Sequence, residues 1–487
     1  MKLDKPISTR DLSNGIVTNL DNKSAPKNCV KFGLNIRFDK ILGRAQIREG
    51  TNLIGSQITD GKSILGLHQL ILSSGTKYFL SVIDGASVSQ IYRLESGTWT
   101  SAGSDGQMTK NVKHRFLTYL DTVMVLDGTL KKSSTDGTTW VTTGDKLDIR
   151  NCPAGKYVIE WRDRVYVAGV TGALDTLYYS GLSNGSTISW TSGNGNILIE
   201  PYEGQGTITG LAKVPGYLLI FKERSLKRWN GSSTFPDDLC KLGSPSQESI
   251  ILGKNTVFYF SSGYKESVGI YETNGENTIK ISRSIQAIID LISDSYYSSV
   301  VGFSNGEFAM WSIGDITYDN ITYSNVVIFF HIESKTWSVF SFPTQPQMFT
   351  PYIDSTTLKI TYGNNDGEII EVFTGNTDNY TGHSNLPIQY LLQYHPQEYD
   401  LRGRLKQIYR IYPYTKNPDT CSMLAKIDEK DIFKPIGKVD DEFENEILCN
   451  LKFHVLELGF VGESKIANTE IIGYDISNAS LIENIKQ

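Results

Sequence analysis

Residues 133–144 read SSTDGTTWVTTG, close to the Ser-x-Asp-x-Gly-x-Thr-Trp box that sialidases carry. Aligned on Gly137, Thr139 and Trp140, the box finds its serine at Ser133, but its acid, Asp136, stands one residue too late. Glycoside cleavage generally needs two carboxylates flanking the scissile bond. The sialidase form adds an arginine cluster and a Tyr–Glu nucleophile pair. Comparable polar turns end at Trp99, Trp190 and Trp337, and none of them carries the acid. The shared feature is therefore a turn closing a strand pair, with a tryptophan for the core.

Other short motifs resolve in the same direction. Gly61-Lys62-Ser63 matches the end of a phosphate loop, whose first glycine would fall at 56, where Ser56 stands. It reads as a turn before a strand over 64–72. Residues 364–368 (NNDGE) space oxygen ligands as a calcium loop does but lack the remaining ligands. A hairpin turn between strands at 358–362 and 369–373 accounts for them. The basic stretches at 112–115 (VKHR) and 222–228 (KERSLKR) alternate with apolar residues, as the solvent faces of strands do.

Cys29, Cys152, Cys240, Cys421 and Cys449 have no paired spacing, which predicts scattered reduced thiols of a cytosol-made protein rather than a disulfide or zinc framework. The six histidines show no HxxxH pair. No residue is assigned a catalytic, cofactor-binding or metal-binding role.

What must position these turns is a β-rich scaffold. Of 487 residues, 39% are hydrophobic and 21% charged, an ordinary folded composition long enough for two or three domains. Tyr (26), Phe (20) and Gly (44) are abundant and long helical runs are missing, which favours strands and tight turns. The net charge of −6 gives no general reason to grip nucleic acid. The N-terminal MKLDKPISTRDLS has no apolar core of a signal peptide. The longest apolar run, VVIFF at 326–330, is far too short to span a bilayer.

Strand, Gly-bearing turn, strand, then polar turn with Thr/Ser-Trp recurs along the chain. Copies end at Trp99, Trp140, Trp190 and Trp337, with a looser one at Trp229. Hydrophobic clusters begin near residues 64, 110, 155, 207, 248, 298 and 348. Their spacing of roughly 41 to 52 residues suits four short antiparallel strands, the period of propeller blades. The fold class is thus all-β, with a propeller of about seven blades (six or eight being the alternatives) over 51–376. The turn tryptophans should pack between blades. Ile285, Ile288, Ile289 and Ile292 fall at helical spacing after Ser284, predicting an amphipathic helix capped by that serine. Residues 1–50 form an N-terminal arm or docking segment, and 374–385 a linker. Alternating runs at 405–414, 451–460 and 470–476 predict a C-terminal β-sandwich over 385–487.

Several stretches carry a likeness in order. They are Gly15, Asn35, Gly43-Arg44 and Arg48-x-Gly50; then EWRDRVYVAG, LYYSGLSNGSTISW and GTITGLAKVPGYLLIFKERSLKRWNG; then FYFSSG, Ile281-Ser282 with Ile285, and EIIGYDI. With these the chain resembles the propeller-bearing nozzle, hub or tail-stabilization proteins of short-tailed bacteriophages. Glu49 departs from the pattern, standing where that family usually has proline.

The resemblance implies a non-enzymatic component of the virion tail, assembled in the host cytoplasm, with no membrane partner. About six copies would form a ring below the portal or adaptor, contacting other tail proteins, with DNA passing through the lumen without specific binding. The alternative is a glycan-binding or glycan-cleaving propeller that contacts the host surface. It would require three arginines converging beside a Tyr and a Glu.

Overall fold

The computed structural model of the chain describes residues 7–19, 25, 26, 28–41, 43–58, 62–200, 206–263, 267–398, 405–428, 432–440, 445–477, 480 and 481. Gly61 of the GKS motif and residues 1–6 of the N-terminal stretch lie outside the described residues. The apolar runs at 115–126 and 157–168 each fold into a hairpin. Tyr119 pairs with Thr122 and Trp161 with Arg164, leaving two residues per turn. Leu120 and Asp121 (φ 51° and 56°), like Arg162 and Asp163 (49° and 58°), take the left-handed values of a type I′ turn, whose twist matches the flanking strands.

Repetition of such hairpins makes the molecule nearly all-β, with 52% of residues in strands and 5% in helices. Seven mainly antiparallel sheets follow one another. Their first strands are Ile64–Ile71, Arg115–Tyr119, Tyr157–Trp161, Ile208–Val214, Ile251–Leu252, Val301–Ser304 and Met348–Asp354. Each of these strands lies beside the next, and Met348–Asp354 lies beside Ile64–Ile71. The seventh sheet takes a strand from much earlier in the chain: Thr51–Leu53 pairs with Ile369–Val372.

Each pair of neighbouring sheets shares an apolar cluster, because a single sheet leaves two faces to bury. Trp99 fills the space between the seventh and first sheets with Ile54, Ile64 and Ile369. Trp140 lies between the first and second with Leu80 and Val125. Trp190 joins Met124 and Val165 between the second and third, and Trp229 joins Leu177 and Leu218 between the third and fourth. Phe221 and Tyr259 connect the fourth and fifth sheets. Phe258 and Trp311 connect the fifth and sixth, and Phe329 and Tyr362 the sixth and seventh. Burying an indole requires a partner for its N–H. Trp99 donates to the Ile54 carbonyl (3.2 Å) and Trp190 to that of Leu147 (3.2 Å). The turn tryptophans thus have the core role expected of them.

The sixth sheet continues past Thr336–Ser341 through Val30–Leu34 into Ile388–Tyr394, Leu456–Ser464, Thr420–Ile427 and Lys434–Lys438. A facing sheet contains Ile36–Arg37, Ala45–Ile47, Glu470–Ser477, Lys406–Lys416 and Ile447–Phe453. Between the two sheets lie Met423, Phe460, Ile411 and Ile476, and Tyr394 meets Tyr474 edge-on with centroids 5.0 Å apart. Strands from residues 30–47, read from the sequence as part of an arm, are woven into both sheets. The stretch 374–385 read as a linker carries Asp378–Tyr380 and the start of His383–Leu386.

Two local expectations are corrected. The run 451–460 is two strands, broken where the Asp428 carboxylate accepts hydrogen bonds from the amides of His454 (2.6 Å) and Val455 (2.8 Å). The helix Gln286–Ile289 is short and is preceded by a 3₁₀ turn, Ser282–Ile285. Its isoleucines are all buried, as their spacing implied, but the Ser284 side chain does not cap it. The Thr18 hydroxyl does so from across the fold, accepting from the Ala287 amide (3.3 Å).

Candidate functional site

The starts of the first strands converge on a polar pocket of about 290 Å³. Lys113 and Arg115 reach it from the second sheet, Lys156 and Tyr157 from the third, Glu248 from ahead of the fifth and Gln347 from ahead of the seventh. Arg115 pairs with Glu248 (2.6 Å), donates to the Lys156 carbonyl (3.0 Å) and stacks over the Tyr157 ring (4.8 Å). Lys113 Nζ donates to the Gln347 carbonyl (2.6 Å). Burial pushes the Lys113 amine down to about 8, against the pull of Glu248 and with help from Arg115. Burial also works against the Glu248 carboxylate, yet Arg115 and Lys113 outweigh it and hold its pKa below the usual value.

In a neighbouring cavity that Arg115 and Glu248 also line, His68 donates to or accepts from the Thr118 hydroxyl (2.7 Å) and stacks on Phe116 (5.4 Å). Burial lowers His68 to about 4, so it is neutral at pH 7. Asp127 accepts from the amides of Thr109 (2.9 Å), Thr129 (2.8 Å) and Leu130 (2.6 Å), and its carboxylate lies 3.6 Å from His114 Nε2. Burial disfavours its charge, but His114 and these amides hold its pKa well below the usual carboxylate range.

The 112–115 stretch is thus no solvent face: His114 is buried, while Lys113 and Arg115 line the pocket. The 222–228 stretch departs further from its expected exposure, because Lys222 and Lys227 are each 1% exposed. Lys222 pairs with Asp175 (3.2 Å), and Lys227 with Glu200 (2.5 Å) and Asp238 (2.6 Å). Alternation shows which residues share a strand face but not whether loop carboxylates will cover that face. Nothing in the local sequence of Glu248 marks it as a residue of this pocket.

The Asp136 carboxylate folds back on its own turn, accepting from the amides of Thr138 (2.8 Å) and Thr139 (2.9 Å). Trp140 Nε1 donates to the Gly137 carbonyl (3.1 Å). The NNDGE residues form a similar local knot, with Asn364 Oδ1 accepting from the amides of Asp366 (2.9 Å) and Glu368 (3.0 Å). Ser63 donates to Asn365 (2.9 Å). Among the described residues, no three His, Cys, Asp or Glu side chains group as a metal site, and no helix is long and apolar enough to cross a membrane.

A second polar centre is built from the N-terminal motif residues. Asn35 takes a left-handed φ of 57°. Its side-chain oxygen accepts from Arg48 Nε (2.9 Å) and the Ser341 amide (2.9 Å), while its amide donates to the Gln389 carbonyl (2.7 Å). Arg48 forms a bidentate pair with Asp378 (2.9 and 2.7 Å). Thr51 donates to the same carboxylate (3.1 Å). At Gly50 a Cβ would lie 2.0 Å from the Thr377 carbonyl oxygen, so a side chain there would part the strands. Glu49 pairs with Arg37 (2.9 Å) and Lys40 (3.0 Å). This centre ties the chain's early residues to the sixth and seventh sheets.

No protein-family model and no curated protein matches the chain. Among solved structures, it is similar in part to the extracellular domain of a hybrid two-component system from B. thetaiotaomicron. The identity is 10% and the TM-score 0.39, over 76% of this chain and 44% of that one. A structure described as the extracellular domain of a one-component system from the same organism gives 10% identity and a TM-score of 0.36, over 81% and 48%. The chain spans less than half the length of either structure. Likeness at this level carries nothing about function.

Proposed function

We propose that this chain is a non-enzymatic structural subunit of a bacteriophage virion tail. In this reading the seven sheets are the blades of a β-propeller, and the two terminal sheets a β-sandwich fused to the sixth blade. About six copies form a ring below the portal or adaptor, and DNA passes through its lumen. The observation that carries the proposal is the weaving of the chain's early strands into distant sheets. Thr51–Leu53 enters the seventh sheet between Ile369–Val372 and Asp378–Tyr380, and Val30–Leu34 bridges the sixth to the terminal pair. Such stitching makes one stiff unit from both parts, as a load-bearing conduit requires. The contact of Met348–Asp354 with Ile64–Ile71 supports the propeller, since it brings the last sheet back to the first.

The pocket chemistry favours this over glycan cleavage. Among the described residues, Arg115 is the one arginine lining the pocket, and its partner Glu248 is tied to it in an ion pair. A sialidase-like site needs an arginine cluster and free carboxylates. The net charge of −6 suits a lumen through which DNA slides without pairing. Negative-stain imaging of the purified protein with tail partners is the test. Rings seated beneath the portal or adaptor are expected, and a stable monomer that hydrolyses a glycan would overturn the proposal.

A further inference from the structure

The pocket where the first strands meet contains more positive charge than its own residues neutralise. Lys113, Arg115 and Lys156 face two carboxylates, Glu248 and Asp127. Asp127 is already surrounded by three backbone amides and His114, so it is a poor partner for further donors. Glu248 is held by Arg115 at 2.6 Å.

Lys113 has no carboxylate of the described residues within 4.0 Å, and its one hydrogen bond goes to the neutral Gln347 carbonyl. An ammonium has three donors and loses stabilisation when half-buried with no carboxylate at contact distance. The fall of its pKa to about 8 reflects that loss. Lys156 stands exposed at the mouth, outside any ion pair among the described residues.

We propose that this pocket binds a compact oxyanion, a phosphate or a carboxylate, between Lys113, Arg115 and Lys156. The cavity of about 290 Å³ sits at the lower end of small-ligand pockets, which run from about 300 Å³. That size admits a small ion or the acidic end of a small molecule and excludes a nucleic-acid strand. The oxyanion supplies Lys113 with a counter-charge at contact distance, and an acceptor for the exposed Lys156 ammonium. Charge-assisted hydrogen bonds of this kind are among the stronger ones available to a protein. The site stands apart from the ring-forming role, and its test does not depend on assembly.

The experiment is thermal unfolding of the full chain with inorganic phosphate in one arm and acetate in the other, ionic strength being held constant with chloride. In the wild type, a saturable rise in Tm is expected with at least one anion, and the arm that responds identifies the source. The Lys241→Met variant, altered on an exposed lysine away from the pocket, should respond alike. In Lys113→Met the apparent Kd should rise at least about tenfold. Its Tm without anion should equal or exceed that of the wild type, because a desolvated charge has been removed; a lysine with a purely structural role would show a fall. Lys113→Gln, which keeps a donor for the Gln347 carbonyl, is the second variant and should also lose the response. No shift with either anion, or equal shifts in wild type and both Lys113 variants, would overturn the proposal.

Discussion

Arg48 shows how much rests on single side chains here. Its guanidinium is almost wholly buried, and it holds Asp378, Asn35 and the Ser341 carbonyl together. Removing one partner of a buried, hydrogen-bonded pair leaves the other charge uncompensated, at a cost of about 3–5 kcal/mol. Arg48→Ala should therefore lower stability by about that much in urea unfolding. A loss below about 1 kcal/mol would show that the cluster relaxes without it. Asp127 makes a pH-dependent contribution. Its folded pKa is depressed, with burial opposing and His114 and the amides overcoming it. Its stabilisation is present above the unfolded value of about 3.9 and is lost as pH falls through the folded one. Asp127→Asn should unfold more easily at neutral pH, and its urea midpoint should fall less than the wild type's below pH about 4. Parallel pH profiles would contradict this. Legibility at this scale was uneven: Asn35, Arg48 and Gly50 stood out in the sequence, but Asp378, some 330 residues onward, did not. Nothing local links two residues whose pairing depends on the path of the chain between them.

At the scale of strands and sheets the sequence was far more informative. Clusters read as starting near 64, 155, 207, 298 and 348 correspond to first strands at Ile64–Ile71, Tyr157–Trp161, Ile208–Val214, Val301–Ser304 and Met348–Asp354. Period-2 patterning and turn residues are local properties, so they survive without knowledge of the fold. The hairpin break within 451–460 was hidden because Asp428, which stabilises it, lies on another strand's end. The helix cap is not legible locally for the same reason, since Thr18 arrives from the N-terminal segment. The turn tryptophans give a direct test of sheet packing. Trp190 is 5% exposed between the second and third sheets and bonded to the Leu147 carbonyl. Trp190→Ala should cost about 3–5 kcal/mol in chemical denaturation, as large-to-small changes at buried aromatics do. A change under about 1 kcal/mol would mean that the indole is not an inter-sheet wedge.

For the whole molecule, the sequence indicated a propeller followed by a separate sandwich with an arm in front. The structure instead weaves described residues of the first fifty into both parts. Val30–Leu34 pairs with Thr336–Ser341 and with Ile388–Tyr394, and Ala45–Ile47 pairs with Glu470–Ser477. Such long-range pairings cannot be read from periodicity, because a three-residue strand carries almost no pattern of its own. Their consequence is mechanical: pulling the two parts separately would require breaking a nine-stranded sheet that runs through both. A subunit of that kind suits a conduit whose copies must hold their positions while DNA moves past them. The direct test is the mass of the purified chain under native conditions, alone and mixed with portal and adaptor. A closed ring of about six copies, formed alone or captured with those partners, is the expected result. A chain that stays at its monomer mass of 54.3 kDa throughout would contradict it.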